Sequence, residues 1–152
     1  MGCYYEDFEP GTRIETPGRT ITESDVVAFA QLTGDYNPLH TDFVYAQEQR
    51  FGQPIAHGLL GISYLLGLIS RIQMFDGTAV ALLGIDDWQF HRPIFFGDTV
   101  HGIVTITECR PSRDPRYGIL YRRAQLINHK GEVVQEGFIN IMMKRRPTSV
   151  EA

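Results

Sequence analysis

At 152 residues the chain has the length of one domain, large enough to bury roughly two thirds of the surface its unfolded form would expose. Its 18 Asp and Glu against 14 Lys and Arg give a formal charge of -4, which argues against a nucleic-acid partner, because a polyanion needs a basic footprint and Lys144-Arg145-Arg146 is only a short cluster. Cys3 and Cys109 read as reduced thiols, no apolar stretch is long enough to span a bilayer, and the N-terminus lacks the basic and apolar regions of a signal peptide, so the expectation is a cytoplasmic protein with no membrane partner.

In chain order, an opening strand precedes Thr22-Glu23-Ser24-Asp25, which reads as the start of an amphipathic helix. Thr22 offers an N-cap hydroxyl, acidic side chains suit the first turn, and Val26, Val27, Phe29, Ala30 and Leu32 supply apolar surface. Gly34 ends it. The next segment, Gly34-Asp35-Tyr36-Asn37-Pro38-Leu39-His40, cannot be one continuous helical face, because Pro38 biases Asn37 out of the helical region; it predicts a shaped loop. A shorter helix is expected over 42–49, broken by Phe51-Gly52-Gln53-Pro54. From 57 to about 74 the chain is apolar on almost every side, which predicts a helix enclosed by the rest of the domain, with Gly58, Gly61 and Gly67 leaving room for close approach. Strands follow near 78–84, 87–91, 99–107, 117–127 and 132–144, with a hairpin at His129-Lys130-Gly131 and turns at Gly97-Asp98 and Asp114-Pro115-Arg116. This is the α+β pattern, and an antiparallel sheet wrapped around the long central helix is its simplest physical solution. The reading is of a single domain over 1–152 with a flexible tail from about 145.

Asp35 and His40 are the residues that suggest chemistry. A structural connection has no need for two titratable groups with a rigid Asn37-Pro38 turn between them, although Asp35 as a turn cap and His40 as a surface residue is the bland alternative. An ordinary imidazole lies close to protonic balance at neutral pH, so the two groups can divide acid and base work. His91, His101 and His129 show no metal-ligand spacing, and no metal site is expected. Asp98 reads as a turn residue, and Arg110, Arg113, Arg116 and Arg122 as solvated charges that could also meet ligand phosphates. Bulky groups on both alternations of the strands, such as Trp88, Phe90, Ile103 and Leu120, predict a homodimer or higher homo-oligomer.

Three ordered blocks carry a family resemblance: Phe29-Ala30-Gln31-Leu32-Thr33-Gly34-Asp35-Tyr36-Asn37-Pro38-Leu39-His40-Thr41-Asp42, then Ala56-His57-Gly58-Leu59-Leu60, then Phe90-His91-Arg92-Pro93-Ile94-Phe95-Phe96-Gly97-Asp98-Thr99-Val100. Together they resemble the MaoC-like dehydratases, whose best-understood members are R-specific enoyl-CoA hydratases. The resemblance implies the hotdog fold, a dimer with active sites where subunits meet, and addition or removal of water at a 2-enoyl thioester carried by CoA or an acyl carrier protein, with no cofactor. It implies Asp35 and His40 as the catalytic pair, Asn37 and Pro38 as the residues shaping their loop, and Gly58 as the backbone donor to the thioester oxygen. His57 is either part of substrate binding or a plain helix start with a packed imidazole. One departure is Leu66, where some members carry a serine; here Ser63 lies one turn earlier. Thioester hydrolysis on the same fold and noncatalytic acyl-CoA binding are the competing readings; hotdog thioesterases lack the Asp-x-Asn-Pro-x-His segment, and a binding module needs neither Asp35 nor His40.

Overall fold

Thr22 opens the first long helix through a reciprocal cap: its hydroxyl accepts from the Asp25 amide at 3.2 Å while the Asp25 carboxylate accepts from the Thr22 amide at 2.9 Å. In the computed structural model, which describes residues 2–147, this helix is α1 (Glu23–Thr33), and it stops where Gly34 turns left-handed at φ 78°. Short helices α2 (Pro38–Thr41) and α3 (Phe43–Gln47) follow, then the long α4 (Gly58–Arg71). The first of these corrects the sequence reading. Asn37 is held out of the helical region at φ -51°, ψ 131°, as expected, but Pro38 itself begins a helical turn, a position where its missing N–H costs nothing. His40 therefore rides on one turn of helix within the segment read as a loop.

Six strands form one antiparallel sheet: β1 (Arg13–Glu15), β2 (Arg19–Thr20), β3 (Ala79–Phe90), β4 (Thr99–Pro111), β5 (Tyr117–Asn128) and β6 (Val133–Lys144). Their order is β1-β4-β5-β6-β3, with β2 also on β4. The two strands expected at 78–84 and 87–91 are one strand, β3. Its pairing with β6 shifts register three times, and Asp87 adopts φ 50° at one of those irregularities, which is why the sequence there reads as a break. The hairpin at 129–131 is as expected. Asn128 Oδ1 accepts from the Lys130 and Glu132 amides, both at 3.0 Å, and Gly131 takes φ 78°.

The sheet curls over α4. Leu60, Leu65 and Ile69 of the helix join Val104, Ile106, Leu120, Leu126 and Ile139 of the strands in one core, and each such side chain contributes about 1.5–3 kcal/mol by leaving water. The enclosure is one-sided, contrary to the sequence reading. Leu59 is 63% exposed, and Ser63, Gly67 and Ser70 on the same side of α4 are exposed too. A single sheet covers only one side of a helix. β3 ends the sheet, and Val80, Leu82, Leu83 and Ile85 along it are all exposed. Among the described residues no helix is long and apolar enough to cross a membrane. Of the tail from about 145, Arg145 donates to Glu6 at 2.9 Å and Arg146 pairs with Asp7; residues 148–152 lie outside the described residues.

Candidate active site

Four loop and helix ends meet around the Asp35–His40 segment. Thr33, the last residue of α1, donates its hydroxyl to the Phe29 carbonyl at 2.7 Å, and the same oxygen accepts from the Asp35 amide at 3.2 Å. Asp35 Oδ1 then accepts from the Asn37 amide at 3.2 Å, and Asn37 Oδ1 caps α2 by accepting from the Leu39 amide at 2.9 Å. Asn37 and Pro38 thus shape the segment as expected. One fixes the turn and the other starts the helix that presents His40.

The two imidazoles are held by carbonyls. His40 Nδ1 lies 2.7 Å from the Ile55 carbonyl oxygen and His57 Nε2 lies 2.9 Å from the Asp35 carbonyl oxygen. A carbonyl only accepts, so each of these nitrogens carries its hydrogen. The other nitrogen of neutral His40 is then a free acceptor. Burial pushes the His40 pKa down; the Ile55 carbonyl opposes this, His57 adds to it, and Asp35 pulls it back up. His57 stands at the start of α4 as a packed imidazole. It is 3% exposed, its ring stacks on His40 with centroids 3.8 Å apart, and Phe29 packs on it at 5.0 Å.

The segment before α4 is itself anchored from far along the chain. The Ala56 amide donates to the Ile94 carbonyl at 2.8 Å, and Ile55 bridges Phe95. Asp98 belongs to that turn, where its carboxylate accepts from the Phe95 amide at 2.9 Å. Gly58 is the first residue of α4, so its amide lies ahead of the helical hydrogen-bond ladder and at the positive end of the helix dipole. Asp35, His40, His57 and Gly58 line one open cavity of about 400 Å³ with Phe29 and Phe90. Phe90 stands directly over Gly58: a Cβ there would fall 2.9 Å from its ring. Beyond Phe90 a second cavity of about 430 Å³, which also reaches Gly58, is lined by Arg50, Arg92 and Gln135 among others.

Ligand-capable atoms of Asp35, His40 and His57 lie within 4.8 Å of one another. The two rings are only 28° from parallel, so their in-plane lone pairs run nearly side by side rather than converging as a shared metal ion would require. Leu66 is half-buried, and Ser63 turns its hydroxyl back to the Leu59 carbonyl at 2.7 Å. The structure brings Asp35, His40, His57 and Gly58 together at one cavity, with Asn37 and Pro38 in the turn between the first two. It adds Thr33, the Ile55 carbonyl, Phe90 and Gln135, none of which has a one-letter signature: two act through plain packing or hydroxyl contacts, one is backbone, and one is a single amide in a strand.

The family described as MaoC like domain matches residues 7–125. An (R)-specific enoyl-CoA hydratase of Rhodospirillum rubrum is 32% identical over 143 residues, 94% of this chain and 93% of that protein. Protein MaoC of Klebsiella aerogenes is 37% identical over 97 residues, 64% of this chain but 28% of that protein's own length. Among solved structures, the monoamine oxidase regulatory protein from Archaeoglobus fulgius is 33% identical and superposes with a TM-score of 0.89, covering 96% of this chain and 97% of that one. A Mycobacterium tuberculosis protein described as a double hotdog fold superposes with a TM-score of 0.82 at 20% identity, over 99% of this chain and 47% of that one. At that identity the likeness establishes the fold alone: this sheet curled over one helix is the hotdog.

Proposed function

The chain belongs to the MaoC-like dehydratase family, and on that footing we propose that it adds water to a 2-enoyl thioester, or removes it from a 3-hydroxyacyl thioester, with Asp35 and His40 as its acid–base pair. The observation that carries this reading is the His40 tautomer. Its Nδ1 hydrogen is committed to Ile55, so neutral His40 offers Asp35's side of the cavity a lone pair and no spare proton. In hydration the proton that reaches C2 is then the one that leaves the water, passed through the pair, while the hydroxyl bonds to C3. The electrons of the double bond move toward the thioester oxygen as that C3–O bond forms. The Gly58 amide, free of the helical ladder and without a Cβ in the way, is the donor for that developing charge.

Relatives named for CoA thioesters and for acyl-carrier-protein thioesters both support a thioester substrate, and the reading extends to either carrier. Hydration is redox-neutral, and the C3–O bond formation as read needs only proton transfers through the pair and a hydrogen bond to the thioester oxygen, so the reaction calls on no metal or cofactor. We place the working protein in the cytoplasm as a homodimer, the exposed apolar edge β3 being the surface that needs a cover. The test is a spectrophotometric screen of 2-enoyl-CoA thioesters of varied length and branching, following loss of the conjugated double bond. Turnover on at least one of them is expected; folded protein inert toward all of them, and toward the carrier-protein thioesters, removes the proposal.

A further inference from the structure

We infer that Gln135 is a positioning residue for the thioester-oxygen site, an inference that rests on the reading of Gly58 as the donor. Gln135 lies on β6 and is 2% exposed, a burial at which a carboxamide is costly unless both its ends are bonded. Both are. Nε2 donates to the Gly58 carbonyl at 3.0 Å, and Oε1 accepts from the Trp88 indole N–H at 3.3 Å. The helix makes room for it: a Cβ on Gly61, one turn beyond Gly58, would fall 2.2 Å from Gln135 Nε2. The absence of a side chain at Gly61 is therefore the space that the carboxamide fills.

The consequence concerns the aim of an amide that has no side chain to fix it. Glycine is the residue with the most backbone freedom, and Gly58 is at a helix end, where ladders fray. One side-chain hydrogen bond reaches Gly58 itself and another anchors the residue before it. On the N-terminal side His57 is tied to the Asp35 carbonyl; on the C-terminal side Gln135 holds the Gly58 carbonyl. Gln135 is also the strand partner of Phe90, whose ring stands over Gly58, so one cross-strand pair carries both the clamp on the donor and its cover. A donor aimed in advance is most useful as charge develops on the oxygen, and its misalignment shows in turnover more than in affinity.

The test uses Gln135→Leu, which keeps the volume and removes both hydrogen bonds, and the double variant Gly61→Ala/Gln135→Ala, in which the new methyl partly refills the vacated space without a donor. With far-UV circular dichroism unchanged, Gln135→Leu should lower kcat by about tenfold to a hundredfold, leave KM within a fewfold and leave the pH profile in place. The double variant should remain folded by circular dichroism and remain slow. Wild-type kcat in Gln135→Leu overturns the inference, as does recovery of wild-type kcat in the double variant, which would show packing alone; if Gln135→Leu fails to fold, the double variant decides. A wild-type protein inert toward every thioester overturns the activity and this inference together, whereas an active wild type with an unaffected variant overturns the role of Gln135 alone.

Discussion

His40 is held by one nitrogen and left open at the other, and this division makes its loss different from the loss of a packed imidazole. His40→Ala and Asp35→Asn should each lower turnover by at least about a hundredfold while the fold survives, because both residues lie in a segment that is otherwise mostly exposed. Steady-state hydration kinetics on variants with unchanged circular dichroism check this, and either variant keeping most of its turnover takes that residue out of the mechanism. Burial lowers the His40 pKa, so neutral His40 persists below the ordinary value of about 6.5, and the acid limb of kcat/KM should fall there rather than above it. The unfolded chain takes up this proton first. Stability contributed by neutral His40 is therefore complete above about pH 6.5 and is lost as pH falls through the lowered folded value. Urea titrations of wild type and His40→Ala between pH 5 and 8 should show the wild type losing this increment on acidification and the variant lacking it. Asp35 and His40 were legible in the sequence because titratable letters flank an Asn-Pro turn. Their holders were not, since the Ile55 carbonyl carries no letter and His57 looks like any residue before a helix.

At the level of elements, the start of α4 is where sequence and structure inform each other most. Gly58→Val places a Cβ against the Phe90 ring, but that ring is 54% exposed at the end of an edge strand and can swing aside, so the helix should survive. Turnover should still be crippled, by about a hundredfold, because the branched side chain crowds the approach to the amide and perturbs the backbone that aims it. Circular dichroism together with kinetics and product-thioester binding reads both halves; a folded Gly58→Val protein with near wild-type turnover moves the donor elsewhere. Helix α1 was legible to the residue, because Thr22, Asp25 and Gly34 are chemical punctuation. Helix α2 was not, since the proline that ends one helix can begin another, and only the cap at Asn37 distinguishes the cases. β3 was split in two on the sequence at Ile85-Asp86, where a carboxylate beside Gly84 is poor strand chemistry, and only pairing with β6 carries the strand through it. The exposed side of α4 was also illegible: an all-round apolar helix signals that something covers it without saying whether the cover is the same chain.

The whole molecule ends on an edge that a lone protomer leaves uncovered. β3 runs twelve residues with one strand neighbour, and Val80, Leu82, Leu83 and Ile85 are each more than 40% exposed on both of its faces. A long apolar edge invites pairing, and the proposed dimer covers it with a second copy. Light scattering after size exclusion should give at least twice the 17.3 kDa protomer mass at micromolar concentration, and Ile85→Glu should shift it toward the protomer. A wild-type monomer would remove the dimer from the proposal. The overhang that carries the proposed Asp35–His40 pair is built differently from the sheet. Between residues 31 and 53 only Ala46 is buried, and the segment is held to the body by a few hydrogen bonds at Ile55 and His57 and by ring contacts of His40, Phe43 and Phe51 with His57, Phe96 and Phe95. Such a segment opens at far lower free energy than strands β4–β6, whose apolar residues sit in the core. Amides of residues 35–47 should exchange with deuterium well before those of the sheet, and mild urea should abolish activity while the sheet's circular dichroism is still native. Bound product thioester should slow that exchange, because a ligand seated on the closed overhang makes its opening costlier by mass action.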